Sequence, residues 1–246
     1  MKRIISLYSP RPGCGKSSIA AALEAKGWTV ISFAEPMRRM IITFLAECGI
    51  DPLVARQLVT DPALKELPLQ KVPGNPTPRH LMRTLGTEWG RDCVTQKLWT
   101  EIARAKARYA LSTRPFGNAG VVFDDMRFGT EYDMAEEEDA LKVYIERPQA
   151  PPPEGNHSSD GALEGRAFDE RISNGSEEKA QIPVIASRLI ARAAGLLKAK
   201  DESGWSGPKA YREGPDGQPQ ALFVRGGETE WRPMVISFPE GNGAAA

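Results

Sequence analysis

Cysteine is scarce: the 246 residues hold three, Cys14, Cys48 and Cys93. They are odd in number, widely spaced and without a histidine partner pattern, which argues against a structural metal and fits a reducing compartment. A surplus of charge is also missing, since 32 Lys+Arg against 32 Asp+Glu leave a formal net charge of +0. A chain whose main partner is a nucleic acid backbone usually carries a basic excess, so the balance argues against polymer binding. No stretch approaches the ~18 consecutive apolar residues of a membrane-spanning helix. The basic start Met1-Lys2-Arg3 leads into an apolar run that breaks at Ser9-Pro10, which makes no signal peptide. The expectation is a soluble, cytoplasmic protein without a membrane partner. With 41% hydrophobic residues, it can bury a full core as one large domain or as a domain with an appendage.

What the chain does have begins at residues 8 to 18, YSPRPGCGKSS, between the apolar runs Ile4–Leu7 and Ile19–Leu23. The usual phosphate-loop pattern is G-x-x-x-x-G-K-[ST], and here the first glycine is replaced by Pro10. Gly13, Cys14, Gly15, Lys16, Ser17 and Ser18 remain, the positions whose backbone N–H groups would point at phosphates from a helix N-terminus. Proline lacks an N–H and would harm the cradle itself. Upstream, at the strand exit, it only stiffens the turn.

Arg3 to Leu7 reads as a buried strand, Ser17 to Lys26 as a helix and Trp28 to Phe33 as a second strand, together a βαβ unit. Residues 36 to 48 carry one apolar face at helical spacing. Six prolines between 52 and 78 restrict that stretch to short helices and loops. Arg79 to Arg91 and Lys97 to Leu111 read as helices, Ala119 to Phe123 and Ala140 to Ile145 as strands, and Ala180 to Lys200 as a final helix. Strands alternating with helices imply an α/β fold, a parallel sheet covered on both faces. Residues 201 to 220 read as a linker, followed by a β-hairpin around Gly226-Gly227 and a disordered tail.

The third strand ends in Asp124-Asp125, where a phosphate-loop enzyme places its Mg²⁺ partner. Lys16 would neutralise the phosphates, and the Ser17 hydroxyl with Asp124 or Asp125 would hold the ion. Adjacent residues on a strand point to opposite faces, so one aspartate faces the site and periodicity alone leaves open which. Phosphoryl transfer also needs positive charge around the transferring group. Arg38, Arg79, Arg83 and Arg91 lie between the first βαβ unit and the next strand, where a phosphate acceptor would dock, and Arg127 follows the Asp pair. Phe33 and Trp89 are candidates for stacking on a base.

The run from Thr77 to Arg91 with Trp99, the stretch Ser32-Phe33-Ala34-Glu35-Pro36, Asp125-Met126-Arg127-Phe128 with Glu131, and His157-Ser158-Ser159-Asp160 before Ile172-Ser173-Asn174 together resemble the bacteriophage-type deoxynucleoside monophosphate kinases. The resemblance covers roughly residues 3 to 195. It implies a P-loop kinase fold and transfer of the γ-phosphoryl group of ATP to a deoxynucleoside monophosphate, with Mg²⁺, in the host cytoplasm if the chain is phage-encoded. It adds Arg79, Glu88, Arg91 and Arg127 as motif positions, favours Asp125 of the pair, and puts the acceptor-binding region at about 34–100. Arg83 stands where the family commonly has glutamine. An arginine offers donors only, so the expectation is a preference for acceptor-rich base edges such as that of guanine. Pro10, Gly129-Thr130 and Asp160 are further departures from the family pattern.

Residues 146 to 176 are rich in Pro, Gly, Ser and charge, and read as a lid that closes to exclude water. Arg147, Arg166 and Arg171 are expected to reach phosphates from it, and His157 to hydrogen-bond within it. The kinase domain is expected to span 1–200, with 201–246 as an extension outside the resemblance, a sheet-edge addition or an oligomer contact of a homodimer. A kinase acting on a modified base in phage DNA and a non-catalytic nucleotide-binding protein are the alternative readings.

Overall fold

The computed structural model describes residues 2–113, 119–148, 162–175 and 178–195, and the backbone of three C-terminal strands. Five parallel strands form one sheet: β1 (Ile4–Tyr8), β2 (Trp28–Ile31), β3 (Gly120–Met126), β4 (Leu141–Glu146) and β5 (Glu170–Ser173), in the order β2-β3-β1-β4-β5. β1 is apolar on both faces because both faces are covered. Ile5 and Leu7 join one core with α1 (Lys16–Glu24) and α7 (Glu178–Ala193), while Ile4 and Tyr8 join a second with α5 (Leu98–Thr113) and α6 (Gly129–Glu137).

The chain leaves β1 toward β2, beyond β3, and leaves β3 toward β4, on the other side of β1. The connections therefore diverge where β1 and β3 end side by side. Such a switch point opens a crevice outside the carboxyl ends of the strands. The glycine-rich loop leaves β1 there, and Asp124-Asp125 lie at the end of β3.

A third core, around Ile41, Leu45, Ala55, Val59, Leu69 and Val72, belongs to helices beside the sheet. These are α2 (Glu35–Glu47), α3 (Pro52–Thr60) and α4 (Pro78–Arg83), with a 3₁₀ turn at Leu64–Glu66. Local chemistry starts them. Asp51 accepts from the N–H groups of Leu53 and Val54 ahead of Pro52, and Thr77 accepts from His80 N–H ahead of Pro78.

Three expectations are corrected. The single helix expected over 79–91 is α4 followed by a π-helical segment, Thr84–Val94. The Trp99 indole donates to Gly86 O (2.8 Å), and a Cβ on Gly90 would meet the Trp99 ring at 2.5 Å, so the indole lies directly on this backbone. The segment read as a lid over 146–176 includes β5, an edge strand paired with β4, and buried Leu163. Its alternating pattern Glu170-Arg171-Ile172-Ser173 places Ile172 in the core. The stretch read as a linker contains β6 (Ser206–Glu213), which pairs antiparallel with β7 (Pro219–Arg225), itself paired with β8 (Glu228–Pro233). Among the described residues no helix is long and apolar enough to cross a membrane.

Candidate functional site

The loop after β1 takes its shape from two glycines in the left-handed region, Gly13 (φ 75°) and Gly15 (φ 89°). Gly15 is the N-cap of α1, and Lys16, Ser17 and Ser18 form its first turn. Two side chains from the far half of the sheet hold this loop. Arg147, just past β4, donates from Nη1 to Gly13 O (3.1 Å), and Asn174, just past β5, donates from Nδ2 to Cys14 O (3.0 Å).

The Lys16 ammonium turns back to the mouth of the loop and donates to Ser9 Oγ, which itself donates to Arg11 O (2.8 Å). Burial, and after it the charge of Arg127, pull the Lys16 pKa down to about 8, against the opposing pull of Cys14, Asp125 and Asp124. The lysine thus lies among the groups expected to work with it.

The two aspartates are used differently. Asp125 spends both oxygens on the β2–α2 loop, accepting from Phe33 N–H (2.7 Å), Ala34 N–H (3.2 Å) and the Ser32 hydroxyl. Arg38 completes the knot, donating to Ser32 Oγ (3.1 Å) with its other terminal nitrogen 3.7 Å from Asp125. Asp124 instead has a buried Oδ1 with no hydrogen-bond partner. Burial and the adjacent Asp125 charge push its pKa up. The resemblance favoured Asp125, but the oxygen left without a hydrogen-bond partner belongs to Asp124.

The arginines expected on the acceptor side part company. Arg38, Arg79 and Arg127 lie within electrostatic range of Lys65, whose pKa falls through burial and then through their three charges. Arg79 bonds Glu66, the neighbour of Lys65, through Nε. Arg83 is exposed, with His80 Nδ1 at 3.5 Å. Arg91 is buried in an ion pair with Glu131 (2.9 Å), 7% and 2% exposed, and its guanidinium lies 3.8 Å from the Phe128 ring centroid. The second Glu131 oxygen accepts from Arg127 N–H (2.6 Å) and Phe128 N–H (3.0 Å). Arg91, expected on the acceptor side, therefore ties the π-helical segment to the start of α6.

Phe33 is corrected as well: it is 2% exposed and stacked on Phe123 (5.0 Å between centroids), where no base could reach it. Trp89 is 43% exposed and tilted against Trp99, and Glu88 is exposed. Of the expected lid arginines only Arg147 reaches the loop. Arg166 pairs with Asp133 (3.2 Å), and Arg171 lies over the Tyr144 ring (4.3 Å). His157 lies outside the described residues.

Four residues of the site had no role assigned from sequence: Ser9, Lys65, Ser32 and Asn174. Lys65 sits in the proline-broken stretch with no motif around it. Ser32 and Asn174 belonged to segments carrying the resemblance, but nothing local reveals their partners. Among the described residues no three His, Cys, Asp or Glu side chains form a ready-made cation cage. No protein-family model matches this chain, and no curated protein matches it.

Proposed function

We propose that the chain is a phosphotransferase of the P-loop class. The observation that carries this reading is one juxtaposition at the switch point: a loop of left-handed glycines opening α1 at Lys16, within electrostatic range of Asp124, Asp125 and Arg127. Backbone N–H groups at a helix start bind phosphate, and a lysine there neutralises it. The particular reaction we assign is transfer of the γ-phosphoryl group of ATP to a deoxynucleoside monophosphate. The group of Arg38, Lys65, Arg79 and Arg127 supports a second anionic ligand beyond the loop.

In this reading an oxygen of the acceptor phosphate attacks the γ-phosphorus, the bond to the β–γ bridging oxygen breaks, and ADP leaves. The acceptor oxygen is already anionic, so no general base is required. Lys16 shifts from Ser9 to the triphosphate, and Arg127 and Lys65 stabilise charge on the equatorial oxygens. Donor chemistry fits Mg²⁺, a hard cation that takes one or two carboxylates together with substrate phosphates: Ser17 and the unpartnered Asp124 oxygen would hold it. When bound it neutralises charge shared between the phosphates. Asp125 holds the β2–α2 loop and Arg38, and so shapes the acceptor side.

Incubating the protein with ATP, Mg²⁺ and each deoxynucleoside monophosphate in turn should yield diphosphate with at least one of them. Phosphorylation of an oligonucleotide but no monophosphate, or nucleotide binding without turnover, would replace this reading.

A further inference from the structure

We infer that Asn174 is a positioning residue for the donor nucleotide, holding the Cys14–Gly15 peptide so that its N–H faces the triphosphate. This rests on the reading of residues 13–18 as a phosphate site.

The geometry is specific. Asn174 is 1% exposed, and its backbone N–H donates to Glu146 O (2.8 Å), which locks it at the end of β5. Its Nδ2 donates to Cys14 O (3.0 Å). No peptide bond here is cis, and in a trans peptide the C=O and N–H point in opposite directions. Holding Cys14 O against β5 therefore turns the Gly15 N–H away from β5, into the concave side of the loop. Arg147 holds the preceding carbonyl, Gly13 O, from the end of β4.

Asn174 also accounts for Gly15. A Cβ there would stand 2.4 Å from Asn174 Nδ2, so the glycine is required for the amide to approach as well as for its φ of 89°. The Asn174 Oδ1 is buried without a partner. A buried polar atom left unsatisfied costs stability, so packing alone does not explain an amide at this position. Its Nδ2 bond to the loop does.

The test is Asn174→Asp, nearly isosteric but unable to donate when ionised, and with a carboxylate oxygen against Cys14 O. Dissociation constants of MgATP and of magnesium tripolyphosphate should rise roughly ten-fold, the worth of one hydrogen bond, at about pH 8, with the acceptor constant unchanged. As pH falls and the carboxyl protonates, it regains a donor, and the ratio of its dissociation constant to that of the wild type at the same pH should return toward one, the Lys16 titration near pH 8 being common to both proteins. Asn174→Ala should show a loss of the same sign whose ratio to wild type does not change with pH, and it decides the matter if the Asp variant does not fold.

A fall in thermal stability with both constants unchanged would overturn the inference, as would an equal weakening of ATP and acceptor. Wild-type protein that binds neither ATP nor tripolyphosphate would overturn the phosphate-loop reading itself.

Discussion

The loop side of the crevice and the helical side are built from different materials. On the loop side the elements are backbone: two left-handed glycines, a helix start, and carbonyls held from behind by Arg147 and Asn174, with Lys16 at the mouth. On the helical side the elements are long cationic side chains, each with a competing partner. Arg38 leans on Asp125, Arg79 on Glu66, Arg83 on His80, and Arg91 is committed to Glu131. Backbone donors are set by φ and ψ and keep one role. A guanidinium on a flexible stem takes whichever carboxylate the fold brings near, so an arginine in the right stretch of sequence can serve structure instead of substrate.

The largest test of this contrast is Arg91→Ala. It strands buried Glu131, and breaking a buried pair from one side typically costs about 3–5 kcal/mol, read in chemical or thermal unfolding. Burial and the Asp125 charge raise the Glu131 pKa to about 7 even with Arg91 present. A raised carboxyl favours the folded state while protonated and loses that advantage as pH climbs through about 7. The Arg91→Ala deficit should therefore be greater on the alkaline side of that value than on the acid side. A variant with wild-type stability and a weakened acceptor would return Arg91 to the binding site.

Lys16→Ala should lower turnover by ~10²-fold or more, since a preorganised charge is removed from the transition state, with unfolding unchanged. Near-normal turnover would remove the loop from the chemistry. The aspartates come next. Asp124→Asn should raise the Mg²⁺ concentration needed for half-maximal rate by about ten-fold or more, since loss of a group that merely orients a metal ligand already costs about 10–100-fold. Asp125→Asn should instead raise the acceptor KM and lower stability, because an amide cannot accept from Ser32, Phe33 and Ala34 as a carboxylate does. Exchange of the two outcomes would reverse their roles.

Smaller effects follow from titration and from the exposed arginines. Lys16 loses its proton near about pH 8 in the free protein, so kcat/KM for ATP should decline above that value, and Lys16→Arg should move the decline to higher pH. Arg79 and Arg83 are both exposed, so Arg79→Gln and Arg83→Gln should each raise the acceptor KM by only about two- to five-fold, Arg79→Gln the more because its charge also acts on Lys65. If Arg83→Gln selectively weakens the guanine nucleotide, base reading belongs to Arg83 despite its exposure.

Several features of the molecule were legible in its residue order. The parallel α/β sheet, the glycine-rich turn between β1 and α1, and the aspartates at the end of β3 all follow from patterns within a dozen residues. Backbone conformation in a turn depends on neighbours along the chain. Alternation of Ile4, Ile5, Leu7 and Tyr8 suffices to bury both faces of a strand. The tertiary structure alone decided what lies across the sheet or between layers. It left Asp124 with an unpartnered oxygen, took Phe33 into the core, paired Arg91 with Glu131, brought Lys65 within range of three arginine charges and seated Asn174 against Cys14, 160 residues away. A side chain's role depends on which partners come within about 3 Å of it, and those partners come from distant parts of the chain.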